Sequence, residues 1–321
     1  MDGRRLYGLD ALRGIAALCV LLCHLPEYGA PFRFAHGFMA VDFFFMLSGY
    51  LMARTYGGRL GQGLGPGAFL KKRLRRLWPV AAIGMAISLP LLASYPPEMQ
   101  LLLALSALLL IPALGGGYLF PSNASAWSIS FELFANWLHG AVLWRLRRRT
   151  LAALALACYL CLVPAAFYWD NLNLGPLGST VLPAIPRVVF AYVVGMLIWD
   201  RFGDTPPVVL PQAVTLAAMP VLFFIFTGPL FDLAFVALAA PLLLVAGIRC
   251  SPPRALVFLG WISYPLYAVQ IPVLDLSRGA GLPWQAGALL AVALATAIAW
   301  LAGRSWGAGW VAMRLRLRAG A

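Results

Sequence analysis

The chain has 321 residues, of which 62% are hydrophobic and only 11% are charged. This composition excludes a soluble globular protein and predicts an all-α, polytopic integral membrane protein. The formal net charge of +13 comes from 22 Arg and 2 Lys that lie in short clusters between apolar segments. Such clusters are typical of membrane orientation rather than of nucleic-acid binding, so we expect membrane lipid, and no nucleic acid, as a partner.

Eleven apolar segments are long enough to span the membrane or nearly so. They lie at about 10–27, 37–54, 77–95, 98–113, 127–144, 150–168, 187–200, 208–227, 230–248, 255–275 and 284–303. If the basic clusters around Arg73 and Arg147 are both cytoplasmic, an even number of crossings must separate them. One of the two proline-interrupted segments, 77–95 or 98–113, is then expected to be re-entrant or interfacial, which leaves about ten full spans.

The distribution of arginines predicts that both termini are cytoplasmic. The basic residues at the N-terminus, Arg4 and Arg5, and those at the C-terminus, Arg314, Arg316 and Arg318, fall on that side, whereas Arg187 falls outside. We expect one membrane domain covering residues 1–321, without a soluble C-terminal domain.

The first segment carries two ionisable residues, Arg13 and His24. They are eleven residues apart, which places them within ~20° on one helix face and ~16 Å apart along the axis. Ionisable groups inside a span usually face an interior cavity, so the pair suggests a path through the protein. The alternative is an arginine that extends to the interface and a packed polar histidine.

Two carboxylates are expected at the depth of His24 in the outer third of the membrane. Asp42 lies about five residues into the second segment, and Glu132 lies at a similar depth in the segment that starts near Trp127. A carboxylate beside a histidine fixes its tautomer and favours its action as a general base. A structural polar cluster that fixes helix packing is the alternative.

A basic sequence, KKRLRRLWP, precedes the third segment. Arg73 and Arg76 share one helix face there and could bind a phosphorylated ligand, or could only anchor the topology. The sequence has no glycine-rich phosphate loop, zinc motif or serine nucleophile elbow. The five Cys lie within or at the ends of apolar segments, so we expect reduced thiols and no metal site.

Five motifs in this order resemble the membrane acyltransferase-3 family: LRGIAALCVLLCH, AVDFFFMLSGYL, FLKKRLRRLWP, AWSISFEL and FLGWISYPLYAVQIP. The resemblance implies a stand-alone O-acyltransferase of the bacterial cytoplasmic (inner) membrane. It would move an acyl group, by default acetyl, from cytoplasmic acyl-CoA to a hydroxyl of an extracytoplasmic carbohydrate. Acyl-CoA would be a substrate, and no cofactor would be bound permanently.

The resemblance also assigns roles to residues. His24 would be catalytic, with Asp42 and Glu132 beside it, and Arg13, Lys72, Arg73 and Arg76 would serve the acyl-CoA donor. Further motif positions around the pore would be Asp10, Ser48, Trp127, Ser128, Ser263, Tyr264 and Gln270. The family often has a histidine where this chain has Gln270, and an amide cannot take up a proton at neutral pH.

Two other functions fit the residues without the resemblance. The main one is a transporter or flippase for a lipid-linked sugar or an anion, with Arg13 and His24 along its path, although no internal repeat is visible. The other is a structural subunit of a polysaccharide-assembly complex. The acceptor, the acyl length, the oligomeric state and the choice between direct transfer and an acyl-histidine intermediate stay open.

Overall fold

The computed structural model describes residues 5–114, 117–206 and 208–305, and for residues 303–305 it describes the main chain alone. Within these ranges every regular element is a helix, and the only β-type contact is an isolated bridge between Tyr118 and Leu177. The α-helices are α1 (Tyr7–His24), α2 (Ala40–Gly61), α3 (Pro66–Ser88), α4 (Pro97–Leu108), α5 (Ala126–Ala141), α6 (Arg148–Tyr168), α7 (Val181–Phe202), α8 (Gln212–Ile225), α9 (Pro229–Ala234), α10 (Ala240–Arg249), α11 (Arg254–Gly279) and α12 (Trp284–Ser305). A π-helical turn, Phe235–Ala239, joins α9 to α10.

Seven of the described helices are long and apolar enough to cross a membrane. They are Tyr7–Tyr28, Pro66–Ser94, Arg148–Tyr168, Gly178–Phe202, Pro229–Arg249, Arg254–Gly279 and Trp284–Ala302. Helix α2 is also long, at 22 residues, but it carries Asp42, Arg54 and Arg59. The all-helical, multi-pass architecture is thus confirmed, while the count of ten spans stays a prediction.

One end of the bundle collects the basic clusters, and we call it the basic end. There Arg54 on α2 forms an ion pair with Asp204 after α7 (2.8 Å), and Arg148 on α6 lies 3.7 Å from Asp200 on α7. Helix α1 starts at this end too, because its other end lies beside the start of α2, where Gly37 packs against Cys19 and Cys23. Arg4, Arg314, Arg316 and Arg318, predicted to be cytoplasmic, lie outside the described residues.

Helices α1 and α11 run side by side and parallel. Near the basic end Gly14 packs against the backbone of Leu259 and Gly260, an approach that leaves no room for a side chain. At the opposite end, which we call the far end, the Tyr28 hydroxyl donates to Asp275 (2.8 Å). Residues of α1 and α11 that lie side by side are therefore at the same distance from the basic end.

The structure distinguishes between the two proline-interrupted segments. Helix α3 is continuous up to Ser88, whose hydroxyl donates to Ser122 (2.8 Å), just before α5 begins. Between these points α4 reaches back along α3 until Trp78 Nε1 donates to the carbonyl of Leu108 (2.8 Å), ten residues or ~15 Å from the level of Ser88. The chain enters and leaves this excursion at the far end, so of the two segments it is 98–113 that turns back along α3. That one segment is re-entrant in the membrane stays a prediction.

Candidate active site

A cavity of about 520 Å³ lies between α1, α2, α3, α5, α11 and α12. Four arginines line it: Arg5, Arg13, Arg73 and Arg76. Glu132 is the carboxylate among the described residues that line it. The cavity is therefore strongly cationic, and its exposed residues Arg5 and Arg76 place its mouth at the basic end.

Arg13 is fixed at the contact between α1 and α11. Its Nε donates to the hydroxyl of Ser263 (3.0 Å), and its Nη2 donates to the carbonyl of Gly260 (2.7 Å). Asp10, one turn earlier, accepts a 2.6 Å hydrogen bond from Arg5 and lies 3.5 Å from Arg13. The predicted motif residues Asp10, Arg13 and Ser263 thus form one contact network beside the cavity.

Glu132 lies at the centre of a second network, which joins α2, α3 and α5. Its Oε1 accepts hydrogen bonds from Ser48 (2.6 Å), from Arg73 (3.2 Å) and from Asn136 (3.0 Å). Arg73 is 5% exposed, so this ion pair is well shielded from water. The three donors compensate the carboxylate and fix its position in the cavity wall.

The predicted acyl-CoA residues differ in their surroundings. Arg76 lines the cavity and has no ion pair within the described part of the chain. Lys72 is exposed and is not among the residues that line the cavity. Sequence reasoning also missed Arg5, which was used only as an indicator of orientation although it lines the cavity.

The far part of the cavity is lined by apolar groups and hydroxyls. There the hydroxyls of Ser128 and Tyr267 lie 2.6 Å apart. Nearer the mouth, next to Arg76, the Tyr264 hydroxyl donates to the carbonyl of Leu77 (2.7 Å). Along α2 the cavity is lined from Met52 to Val41, eleven residues or ~16 Å. It therefore extends through much of the bundle.

Asp42 is not beside His24, which corrects the expectation of a shared layer. Both its oxygens are bound by Arg187, with 2.6 Å between Nη2 and Oδ2, and both side chains are fully buried. Arg187 also donates to the carbonyl of Leu174 (2.7 Å), and Trp127 packs against its guanidinium, 5.5 Å from the ring centre. Sequence reasoning placed Arg187 outside, but a buried charge in an apolar helix needs a partner, and here it is Asp42.

His24 lies at the far end of α1 and is not among the residues lining the cavity. Gly37 packs beside Cys23, and Val41 lies four residues deeper along α2. The far limit of the cavity is therefore roughly 6–8 Å short of the level of His24. Glu132 does not reach His24 either, since it is bound at Arg73.

Gln270 lies on α11 between the cavity and the depth of His24. It is fully buried, and both atoms of its side-chain amide lack a hydrogen-bond partner within the described part of the chain. Tyr267, one turn nearer the basic end, lines the cavity. The amide is thus a buried polar group at a depth between the cavity and His24.

A second histidine, His36, has a different environment. Its Nδ1 lies 2.6 Å from Asp232, and its Nε2 accepts a hydrogen bond from the backbone amide of Gly228 (3.2 Å). Asp232 also accepts from the amide of Leu172 (2.9 Å). Both ring nitrogens take part in hydrogen bonds, so His36 is not free to act as a base. Its contacts connect the loop before α2 with the residues around the start of α9.

Comparison with known proteins agrees with this architecture. The family model for the acyltransferase domain matches residues 6–304. "Protein 2 in picA locus" from Rhizobium radiobacter is 31% identical over 188 residues, which are 49% of this chain and 93% of that protein. No solved structure matches the chain. Since the family match covers nearly the whole sequence, the chain belongs to the membrane acyltransferase-3 family.

Proposed function

We propose that this membrane acyltransferase moves an acyl group, by default acetyl, from cytoplasmic acyl-CoA to a hydroxyl of an extracytoplasmic carbohydrate. The donor enters the cavity from the basic end, and the acceptor reaches His24 from the far end. The positive-inside tendency supports a cytoplasmic basic end, and a bacterial inner membrane is the location that fits this arrangement.

The cationic cavity is the observation that carries the proposal. Acyl-CoA has several phosphate charges at one end and the reactive thioester at the other. Arg5 and Arg76 at the mouth suit the phosphates, because arginine binds phosphate oxygens through paired, charge-assisted hydrogen bonds. The ~16 Å of cavity between Met52 and Val41 is of the same order as an extended pantetheine arm.

The chemistry assigned to His24 is general-base catalysis. His24 takes the proton of the acceptor hydroxyl, and the hydroxyl oxygen attacks the thioester carbonyl carbon. The new C–O bond forms, the C–S bond breaks, and the CoA sulfur leaves as a thiolate that is then protonated. The thioester must pass Gln270, whose unpaired amide matches the hydrogen-bonding groups of the two pantetheine amides.

Replacement of His24 tests the enzyme assignment directly. Purified protein in lipid is supplied with acetyl-CoA and a crude mixture of cell-envelope glycans, and release of free CoA thiol is followed. We expect acceptor-dependent release by the wild type and a loss of about 10²–10⁴-fold in His24→Ala, because a general base contributes that much. Equal rates in both proteins, with the donor bound, would instead favour a transporter or a structural subunit.

The donor site is tested by two adjacent arginines. Arg76 lines the cavity, whereas its neighbour Arg75 is exposed and is not among the lining residues. We expect Arg76→Ala to raise the KM for acetyl-CoA about tenfold or more, since a hydrogen bond to a charged group contributes about 1.5–3 kcal/mol. Arg75→Ala is the matched control, and an equal effect of both variants would argue against a specific phosphate contact.

A further inference from the structure

We propose that Glu27 is the carboxylate that positions His24 for catalysis. The inference rests on the proposed function, because it concerns the orientation of the general base. It replaces the expectation that Asp42 or Glu132 plays this part.

The geometry at the end of α1 supports this assignment. Glu27 Oε1 lies 3.7 Å from His24 Nδ1, one turn away along the chain. Nδ1 is buried and has no hydrogen-bond partner among the described residues, while the His24 side chain as a whole is 28% exposed. A small change in the Glu27 side chain would satisfy this nitrogen, and catalytic hydrogen bonds are often long before substrate binds.

The main chain around Glu27 is fixed although its side chain is 68% exposed. The 3₁₀ turn Leu25–Tyr28 continues α1 and ends at Gly29 in the left-handed region (φ 95°). Tyr28 is bonded to Asp275, and Arg278 Nη1 donates to the Glu27 carbonyl (3.3 Å). Helix α11 therefore holds the turn, and the carboxylate stays free to adjust.

The other nearby carboxylates already have partners. Asp42 is paired with Arg187, Glu132 with Arg73, and Asp275 with the hydroxyl of Tyr28. Within the described parts of the chain, Glu27 is the carboxylate within 4.0 Å of a His24 nitrogen. By exclusion and by distance, it is the group that can accept a hydrogen bond from Nδ1–H.

This arrangement determines what each ring nitrogen does. An Nδ1–H bonded to Glu27 fixes the tautomer in which Nε2 has a free lone pair. Nε2 then takes the acceptor proton, and the carboxylate stabilises the imidazolium that forms, as in hydrolase triads. Glu27 itself does not touch the reacting atoms, so it is a positioning residue.

The test compares Glu27→Gln with Glu27→Asp, using Glu98→Gln as the matched control. Glu98 is an exposed carboxylate in the first turn of α4, away from the cavity. We expect Glu27→Gln to lower kcat by about 10–100-fold with an unchanged KM for acetyl-CoA, Glu27→Asp to recover part of the loss, and Glu98→Gln to match the wild type.

A second readout separates orientation of the base from structural damage. Neutral hydroxylamine attacks thioesters without a general base, so the CoA release that it causes beyond the protein-free rate should be equal in Glu27→Gln and the wild type. A parallel loss with hydroxylamine and with glycan would indicate damage to the fold and overturn the inference. So would a wild-type kcat in Glu27→Gln.

The inference and the proposed function fail in different ways. If wild type and His24→Ala release CoA alike, the proposed function itself is wrong. If His24→Ala is inactive and Glu27→Gln behaves as the wild type, only the role of Glu27 is wrong.

Discussion

In the sequence, Asp42 was a candidate catalytic carboxylate. In the structure it forms an ion pair with Arg187 and serves helix packing. Both side chains are fully buried, and their contact joins α2 to α7. Two carbonyl groups accept the remaining guanidinium hydrogen bonds, those of Leu174 and Phe38. The pair thus connects two helices with the loop that precedes α7.

Removal of one partner should cost more than removal of both. We expect Arg187→Met to lose about 3–5 kcal/mol of stability, because Asp42 would remain buried without a partner, and Asp42→Leu with Arg187→Met to lose less. Thermal unfolding of the purified proteins in detergent measures the difference. A single variant as stable as the wild type would show that the buried charge is compensated by another group.

At the scale of helices, α2 and α7 are held in close contact by glycine. A Cβ atom at Gly49 would collide with the carbonyl oxygen of Tyr192, and one at Gly195 with that of Met46. The two backbones therefore approach closely, as small residues allow in membrane helices. The same contact positions Ser48, next to Gly49, against Glu132.

This contact predicts different effects for two glycines of one helix. Gly49→Ala should destabilise the protein by about 1–3 kcal/mol, because the helices must separate. Gly57→Ala, where the added methyl meets open space, should be neutral or stabilising by up to ~1 kcal/mol through helix propensity. Midpoints of thermal unfolding compare the two, and a tolerated Gly49→Ala would contradict the close packing.

The helix boundaries and the site differ in how far the sequence determines them. Periodicity and apolar length are local properties, so α1 with Arg13 and His24 was predicted. The pairing of Asp42 with Arg187 joins residues 145 positions apart and left no local pattern. Glu27 was not predicted, but the sequence could have indicated it, since a carboxylate three residues after a histidine lies one helical turn away.

The topology of the whole molecule follows from the same geometry. Single cysteines at Glu98 and Tyr118, both exposed, flank the excursion of α4, and one at Gly63 lies in the loop between α2 and α3. Because α4 returns to the far end, we expect a membrane-impermeant maleimide to label the cysteines at 98 and 118 on intact cells.

The cysteine at Gly63 should react only after permeabilisation, because the positive-inside tendency predicts a cytoplasmic location for that arginine-flanked loop. Unmodified protein gives the baseline for the native thiols, of which Cys161 is exposed. If α4 crossed the membrane completely, positions 98 and 118 would react from opposite sides. Helix α5 would then begin at the basic end, which would contradict the hydrogen bond between Ser88 and Ser122 that places both ends of the excursion at one level.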